Sequence, residues 1–219
     1  MRVDRVSKTY REGAAETPVL RRTSLELVRG ETTSLTGVSG SGKSTLISLL
    51  AGLMLPDSGR VVFDGRDVTD LDEAARARLR ANRIGVVLQS GNLIPFLTAV
   101  ENVELAIKLA DGDRAGERAA ELLSELGLGR RRNHLPRRMS GGEAQRVSVA
   151  MALANQPDLL LADEVTGELD SSSAEQVMGI IFDACWRRGL TALFVTHSSE
   201  LAARAQRRLR LEEGEVHGV

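Results

Sequence analysis

Three runs of apolar residues punctuate the chain: 84–88 (I-G-V-V-L), 159–162 (L-L-L-A) and 191–196 (T-A-L-F-V-T). None alternates with polar residues, which is the pattern of a strand buried on both faces of a parallel sheet. Residues 1–7 alternate instead, with Val3 and Val6 apolar, and read as a half-exposed strand. Residues 19–28 and 31–36 read as two further strands around a turn at Arg29-Gly30, and 60–63 as a strand ending in the tight turn Asp64-Gly65. The polar stretch 11–18 reads as a loop. Residues 45–51 read as a buried helix and 71–81 as a charged one, N-capped by Asp70 or Asp72. Between Ser90 and Gln156 strand signals stop. Helical patterns cover 97–109 and 114–126, and 143–155 is an Ala- and Met-rich helix. An amphipathic helix at 174–187, a short helix at 198–205 and polar C-terminal strands complete the pattern. Alternating strand and helix argues a single α/β domain with a parallel sheet. Its core is 1–89 and 157–219, with 90–156 as a helical insertion.

Composition narrows the function classes. The 219 residues are 42% hydrophobic and 27% charged, which suits one ordinary folded domain. A net charge of −1 gives no basic field for nucleic acid, and 3% aromatics disfavour base-stacking platforms, so no nucleic-acid partner is expected. Cys185 is the only cysteine, which leaves no disulfide framework, fits a reducing cytoplasm and reads as a small buried apolar residue. The N-terminal stretch has no apolar core of a secretory leader. No apolar run approaches the roughly 20 residues that span a bilayer, so a membrane span would come from another chain.

The chemistry begins at Gly37, Val38, Ser39, Gly40, Ser41, Gly42, Lys43, Ser44 and Thr45. This fits the phosphate-loop pattern G-x-x-x-x-G-K-[ST]. The glycines let successive backbone N–H groups converge on a polyphosphate. Lys43 can set its ammonium against the outer phosphates, and the Ser44 hydroxyl can ligate Mg²⁺. A strand before the loop and a helix after it supply the context such a loop needs.

Each of the three buried runs ends in polar residues: Gln89, Asp163 with Glu164, and His197. In an open α/β sheet ligands sit at the carboxyl ends of the strands, where the phosphate loop also emerges. Asp163 suits a Mg²⁺ ligand and Glu164 a base that polarises water beside a γ-phosphate; the alternative is a solvated acidic turn. His197 reads as a water- or phosphate-orienting group, or as a structural histidine. Ser140-Gly141-Gly142-Glu143 opens a helix and reads either as a second anion site or as a plain N-cap.

In this order the motifs resemble those of the ATP-binding subunit of an ABC transporter: the phosphate loop, Gln89, M-S-G-G-E-A-Q-R, L-L-L-A-D-E, Gly167-Glu168-Leu169-Asp170 and His197. The resemblance covers essentially the whole chain. It implies a P-loop, RecA-like α/β core with an antiparallel β subdomain and an inserted helical subdomain. It also implies Mg²⁺-dependent ATP hydrolysis, with Glu164, His197 and Gln89 catalytic and Ser44, Gln89 and Asp163 at the metal. Tyr10 would stack on adenine. Ser140, Gly141, Gly142 and Glu143 would complete the site of a second subunit in a head-to-tail dimer, and Asp170 would sit in the loop linking the two sites. The partner would be an integral membrane subunit, with this chain on the cytoplasmic face.

Leu161 to Asp170 and Thr98-Ala99-Val100-Glu101-Asn102-Val103 resemble the lipoprotein-releasing, macrolide-exporting and FtsE-type group. That group pairs with a few-helix membrane protein carrying a large external domain, and a purely regulatory switch is the alternative to transport. Val165, Glu168, Met139, Leu88 and Ala144 depart from the usual residues, and none of these removes a catalytic group. The apolar stretch at Leu93, Ile94, Pro95, Phe96 and Leu97 reads either as packing for the insertion or as a docking surface. Arg130, Arg131, Arg132, Arg137 and Arg138 form a cationic cluster.

Overall fold

The computed structural model describes all residues except Ala14, Ser90, Gly91 and Glu168. The start of the insertion at Ser90 and the charge of Glu168 therefore lie outside the described residues. In chain order the elements are β1 (Arg2–Glu12), β2 (Ala15–Glu26), β3 (Thr32–Thr36), α1 (Lys43–Leu50), β4 (Ser58–Phe63), β5 (Arg66–Asp67), α2 (Glu73–Arg83), β6 (Ile84–Val87), α3 (Ala99–Lys108), α4 (Ala115–Glu125), α5 (Gly141–Leu153), β7 (Leu159–Asp163), α6 (Ser171–Arg188), β8 (Thr191–Val195), α7 (Ser199–Ala203), β9 (Arg207–Glu212) and β10 (Glu215–Gly218).

The strands form two sheets. One is antiparallel, ordered β2-β1-β4-β5; the other is ordered β10-β9-β3-β8-β7-β6. In the second, β9, β3, β8, β7 and β6 run parallel and only β10 reverses. Every residue of β7 and β8 is buried. Pleating sends alternate residues to opposite faces, so an unbroken apolar run is what two covered faces require. Leu159, Leu161, Leu193 and Val195 join one core with Leu46, Ile47, Leu49 and Leu50 of α1. Leu160, Ala162, Ala192 and Phe194 join another with Val177, Met178 and Ile181 of α6. Phe194 meets Phe182 edge to face at 5.7 Å between ring centroids.

The insertion has its own core. Val103 and Ile107 of α3, Ala119 and Leu123 of α4, and Val147 and Ala150 of α5 pack together with Leu128. Where α5 crosses β6, Gly85 allows a backbone contact, because a Cβ there would lie 2.3 Å from the carbonyl oxygen of Ala152. Among the described residues no helix is long and apolar enough to cross a membrane. Cys185 is buried, and burial pushes its thiol up to about 12.

One expectation is corrected. Residues 11–12 and 15–18 are not a loop but the arms of a hairpin, with Tyr10 opposite Thr17 and Arg11 opposite Glu16. An Arg11–Glu16 ion pair of 3.0 Å crosses it. The ribbon's end stands in solvent, so its residues are polar without alternation and leave no period-2 signal. The other boundaries shift by a few residues. Asp72 is the cap of α2, accepting the Ala75 N–H at 2.7 Å. Asp64 and Gly65 both have positive φ, as the tight β4–β5 turn requires.

Candidate functional site

The phosphate loop connects β3 to α1. Its backbone is feasible only with glycine at two tight points: a Cβ on Gly37 would lie 2.5 Å from the Leu211 carbonyl oxygen, and one on Gly42 2.7 Å from Val19 Cγ1. Gly42 is the left-handed N-cap residue of α1. Lys43 follows, with its side chain only 5% exposed. Its Nζ donates to the carbonyls of Gly37 (3.1 Å) and Val38 (2.9 Å) and lies 4.0 Å from Glu164 Oε1. A buried ammonium held by two neutral carbonyls and one carboxylate at the edge of contact is incompletely compensated. The position therefore fits an incoming anion.

β7 delivers Asp163 and Glu164 to the same place. Asp163 is buried, and its Oδ1 has no hydrogen-bond partner among the described residues. Desolvation raises its pKa above the ordinary value, opposed by a hydrogen bond from Ser44, with Glu164 raising it further and Lys43 lowering it. An orphaned carboxylate oxygen beside a serine hydroxyl fits a hard cation such as Mg²⁺. Glu164 has a left-handed backbone (φ 48°), a strained conformation for a non-glycine residue. Its Oε1 lies 2.8 Å from Nε2 of His197, which stands just past β8 and is half exposed. Val165 is buried in the core beneath α6. Thus Lys43, Ser44, Asp163, Glu164 and His197 form one connected cluster.

Tyr10 is 44% exposed, and its hydroxyl lies 3.3 Å from Thr45 Oγ1. The hairpin thereby holds the sole tyrosine at the phosphate loop, a contact between residues 35 apart in sequence that no local pattern signals. Gln89 is exposed just past β6. Asn92 braces the backbone before it, accepting the Leu88 N–H at 2.9 Å and donating to the Leu88 carbonyl at 2.6 Å. Asn102, fully buried in α3, accepts the Ile94 N–H and donates to the carbonyls of Ile94, Leu97 and Thr98. This clamp holds Phe96 out at 76% exposure, while Leu93 packs on the insertion's core. The apolar stretch is therefore divided between packing and presentation.

Ser140 and Glu143 form a reciprocal capping box at the start of α5. Glu143 has a lowered pKa, chiefly from the Ser140 N–H, and pairs with Arg131 at 2.9 Å. A Cβ on Gly142 would lie 2.6 Å from Ser173 Oγ, so this glycine is needed where α5 meets α6. Ser140 and Gly141 are exposed. Among the described residues no hydrogen bond joins Ser140, Gly141, Gly142 or Glu143 to the phosphate loop. Asp170 caps α6, accepting the Ser173 N–H (3.0 Å) and hydroxyl (2.7 Å), and these contacts hold its pKa down. A capping role for Asp170 was not legible in its motif.

A glycine-rich loop between strand and helix, with a buried lysine and strand-end carboxylates beside it, defines a P-loop nucleotide-binding domain. Comparison with known proteins makes this specific. The ABC transporter family model matches residues 20–167. The uncharacterised ABC transporter ATP-binding protein YbbA of Escherichia coli is 45% identical over 216 residues, covering 98% of this chain and 95% of YbbA. The lipoprotein-releasing system ATP-binding protein LolD 2 of Caulobacter vibrioides is 44% identical over 213 residues, covering 96% of this chain and 93% of LolD 2. The macrolide export ATP-binding/permease protein MacB of Syntrophobacter fumaroxidans is 44% identical over 215 residues, which are 96% of this chain and 30% of that longer protein. Among solved structures, a dimeric post-hydrolysis state of the ATP-binding cassette MJ0796 bound to ADP and Pi superimposes with a TM-score of 0.92 at 38% identity, over 99% of this chain and 96% of that one. The chain belongs to the ABC transporter family.

The buried carboxylate yields a prediction. Asp163 has a raised pKa in the folded chain, so the unfolded chain loses this proton first and the charged form costs stability once pH passes the unfolded value of 3.8. Asp163→Asn removes that cost. We expect the thermal midpoint of the ligand-free protein at pH 7 to rise by about 2–4 °C, the shift of ~1 kcal/mol at this chain length. The gain should shrink as pH falls towards 3.8. An unchanged or lower midpoint at pH 7 would contradict the assignment of an uncompensated charge.

Proposed function

We propose that this chain is the ATP-binding and ATP-hydrolysing subunit of an ABC transporter and drives a membrane partner by closing and reopening a dimer. The observation that carries the reading is the buried Lys43, held by loop carbonyls at 2.9 and 3.1 Å, next to an Asp163 whose Oδ1 is unpaired. Lys43 and the loop N–H groups of residues 37–45 bind and orient the polyphosphate. Ser44, Asp163 and Gln89 hold Mg²⁺, which supplies charge neutralisation at the phosphates when bound. Glu164 accepts the proton of the water that attacks the γ-phosphate, so that a P–O bond forms to water and the bond to the leaving ADP breaks. His197, 2.8 Å from Glu164, orients that carboxylate. Tyr10 offers an aromatic face for the adenine.

The exposed Ser140 and Gly141 suit a role in completing the nucleotide site of a second copy, and the dimeric MJ0796 cassette supports that arrangement. The resemblance to LolD 2 and MacB supports a membrane partner of the few-helix type and a position on the cytoplasmic face of its membrane. A cleft of about 490 Å³ runs between α2, β6, α3 and α5, lined by Leu53, Ala77, Val86, Leu88, Leu109 and Met151. It begins at the loop that carries Gln89 and Phe96. A cytoplasmic segment of the membrane subunit lies in this cleft, with Phe96 as an anchor.

Two experiments test these assignments. Glu164→Gln keeps shape but cannot accept the proton. Hydrolysis should fall at least about a hundredfold, while Mg-ATP binding survives and the variant elutes as a stable dimer in size-exclusion chromatography; turnover like that of the parent refutes the role. Phe96→Asp should release the membrane subunit on co-purification while the isolated chain still binds ATP and keeps its thermal midpoint. A complex that survives intact places the docking surface elsewhere, and unfolding of the isolated chain makes Phe96 a structural residue.

A further inference from the structure

Asn155 lies just beyond α5, and its side-chain amide joins three helix ends. Nδ2 donates to the carbonyl of Ala81 at 3.0 Å and to that of Ala106 at 2.8 Å. Ala81 is in the last turn of α2 and Ala106 in the last turn of α3. The last carbonyls of a helix have no partner within it and carry its negative dipole end. Here two such ends point at one nitrogen, whose two protons are both used. Among the described residues, the hydrogen bonds that join α2 to α3 all run through this amide.

The two helices belong to different packing units. α2 packs on β6 of the sheet, whereas α3 packs on α4 and α5 of the insertion. They are also opposite walls of the cleft, with Ala77 on α2 and Leu109 at the end of α3. We propose that Asn155 is a positioning residue: its amide is a strut that fixes the separation of α2 and α3, and with it the width of the cleft and the coupling of partner binding to nucleotide turnover. Its mechanical half stands on the two hydrogen bonds alone, and its coupling half rests on the partner-docking reading above. Without the amide, two carbonyls at converging negative helix ends lose their only shared donor and must seek water, which draws the walls apart.

The test uses the full chain with cysteines introduced at Ala77 and Leu109, both exposed, for spin labelling; Cys185 is buried and stays unlabelled. Asn155→Leu removes both donors at similar volume, and Asn155→Asp is the isosteric second variant should the first not fold. The parent should give one narrow interlabel distance. Either variant should at least double the width of the distribution or shift it outward, and a distribution that superimposes on the parent's overturns the strut. In the complex with the membrane subunit, the ratio of stimulated to basal ATPase should fall about fivefold. A loss confined to thermal midpoint, with ratio and distance unchanged, makes Asn155 merely structural. A widened cleft with an unchanged ratio overturns its role in coupling. If Phe96→Asp shows that the partner docks elsewhere, the distance measurement still decides the strut.

Discussion

A buried ammonium needs a counter-charge, and the architecture of this chain is arranged around supplying one on demand. Lys43 sits almost out of solvent between two carbonyls and a carboxylate 4.0 Å away. Placing it there takes a loop with glycine at Gly37 and Gly42 and a helix starting immediately afterwards. It also takes a sheet whose order brings the ends of β3, β8 and β7 side by side. The parallel core, with both faces covered by helices, is what makes those strand ends converge. An incompletely paired charge in such a site is costly, and under the proposed function a polyphosphate with its metal would compensate Lys43, Asp163 and the loop dipoles together.

Local chemistry was legible in the sequence where one residue type can do one job. The phosphate loop requires its glycines and lysine at fixed spacing, and the apolar runs ending in Gln89, Asp163-Glu164 and His197 announce buried strands with polar tips. Longer-range placement was not legible. Thr45 meets Tyr10 only because the far end of the β1–β2 ribbon reaches α1, and that end, unlike the part carrying Val3, Val6, Leu20 and Leu25, has no buried apolar positions to announce it. Asn102 looks like an ordinary helical residue until the fold brings four backbone groups of the preceding loop around it. Asp170 occupies a family position, and its carboxylate is also an ordinary helix cap that accepts from Ser173 once α6 is formed.

The insertion has a core of its own and so is a separate unit resting on the sheet. It is tied to the nucleotide side by Val149 and Leu153 of α5, which pack with Val87, Leu160 and Val177, and by a set of amide side chains in the loops and helix ends. Asn92 braces Leu88 beside Gln89, Asn102 shapes the loop carrying Phe96, and Asn155 joins the walls of the cleft. Directional hydrogen bonds hold a defined spacing yet exchange with water at small net cost, which suits a junction that transmits movement.

In the proposed function, Lys43 is the group whose charge a bound polyphosphate would balance. Calorimetric titration of Mg-ATP into the native chain and into Lys43→Ala measures this directly. The account predicts saturable binding by the native chain and a loss of at least about a hundredfold in affinity for the variant, as expected when a buried, charge-assisted contact is removed. Equal affinity for Mg-ATP in both proteins would contradict it.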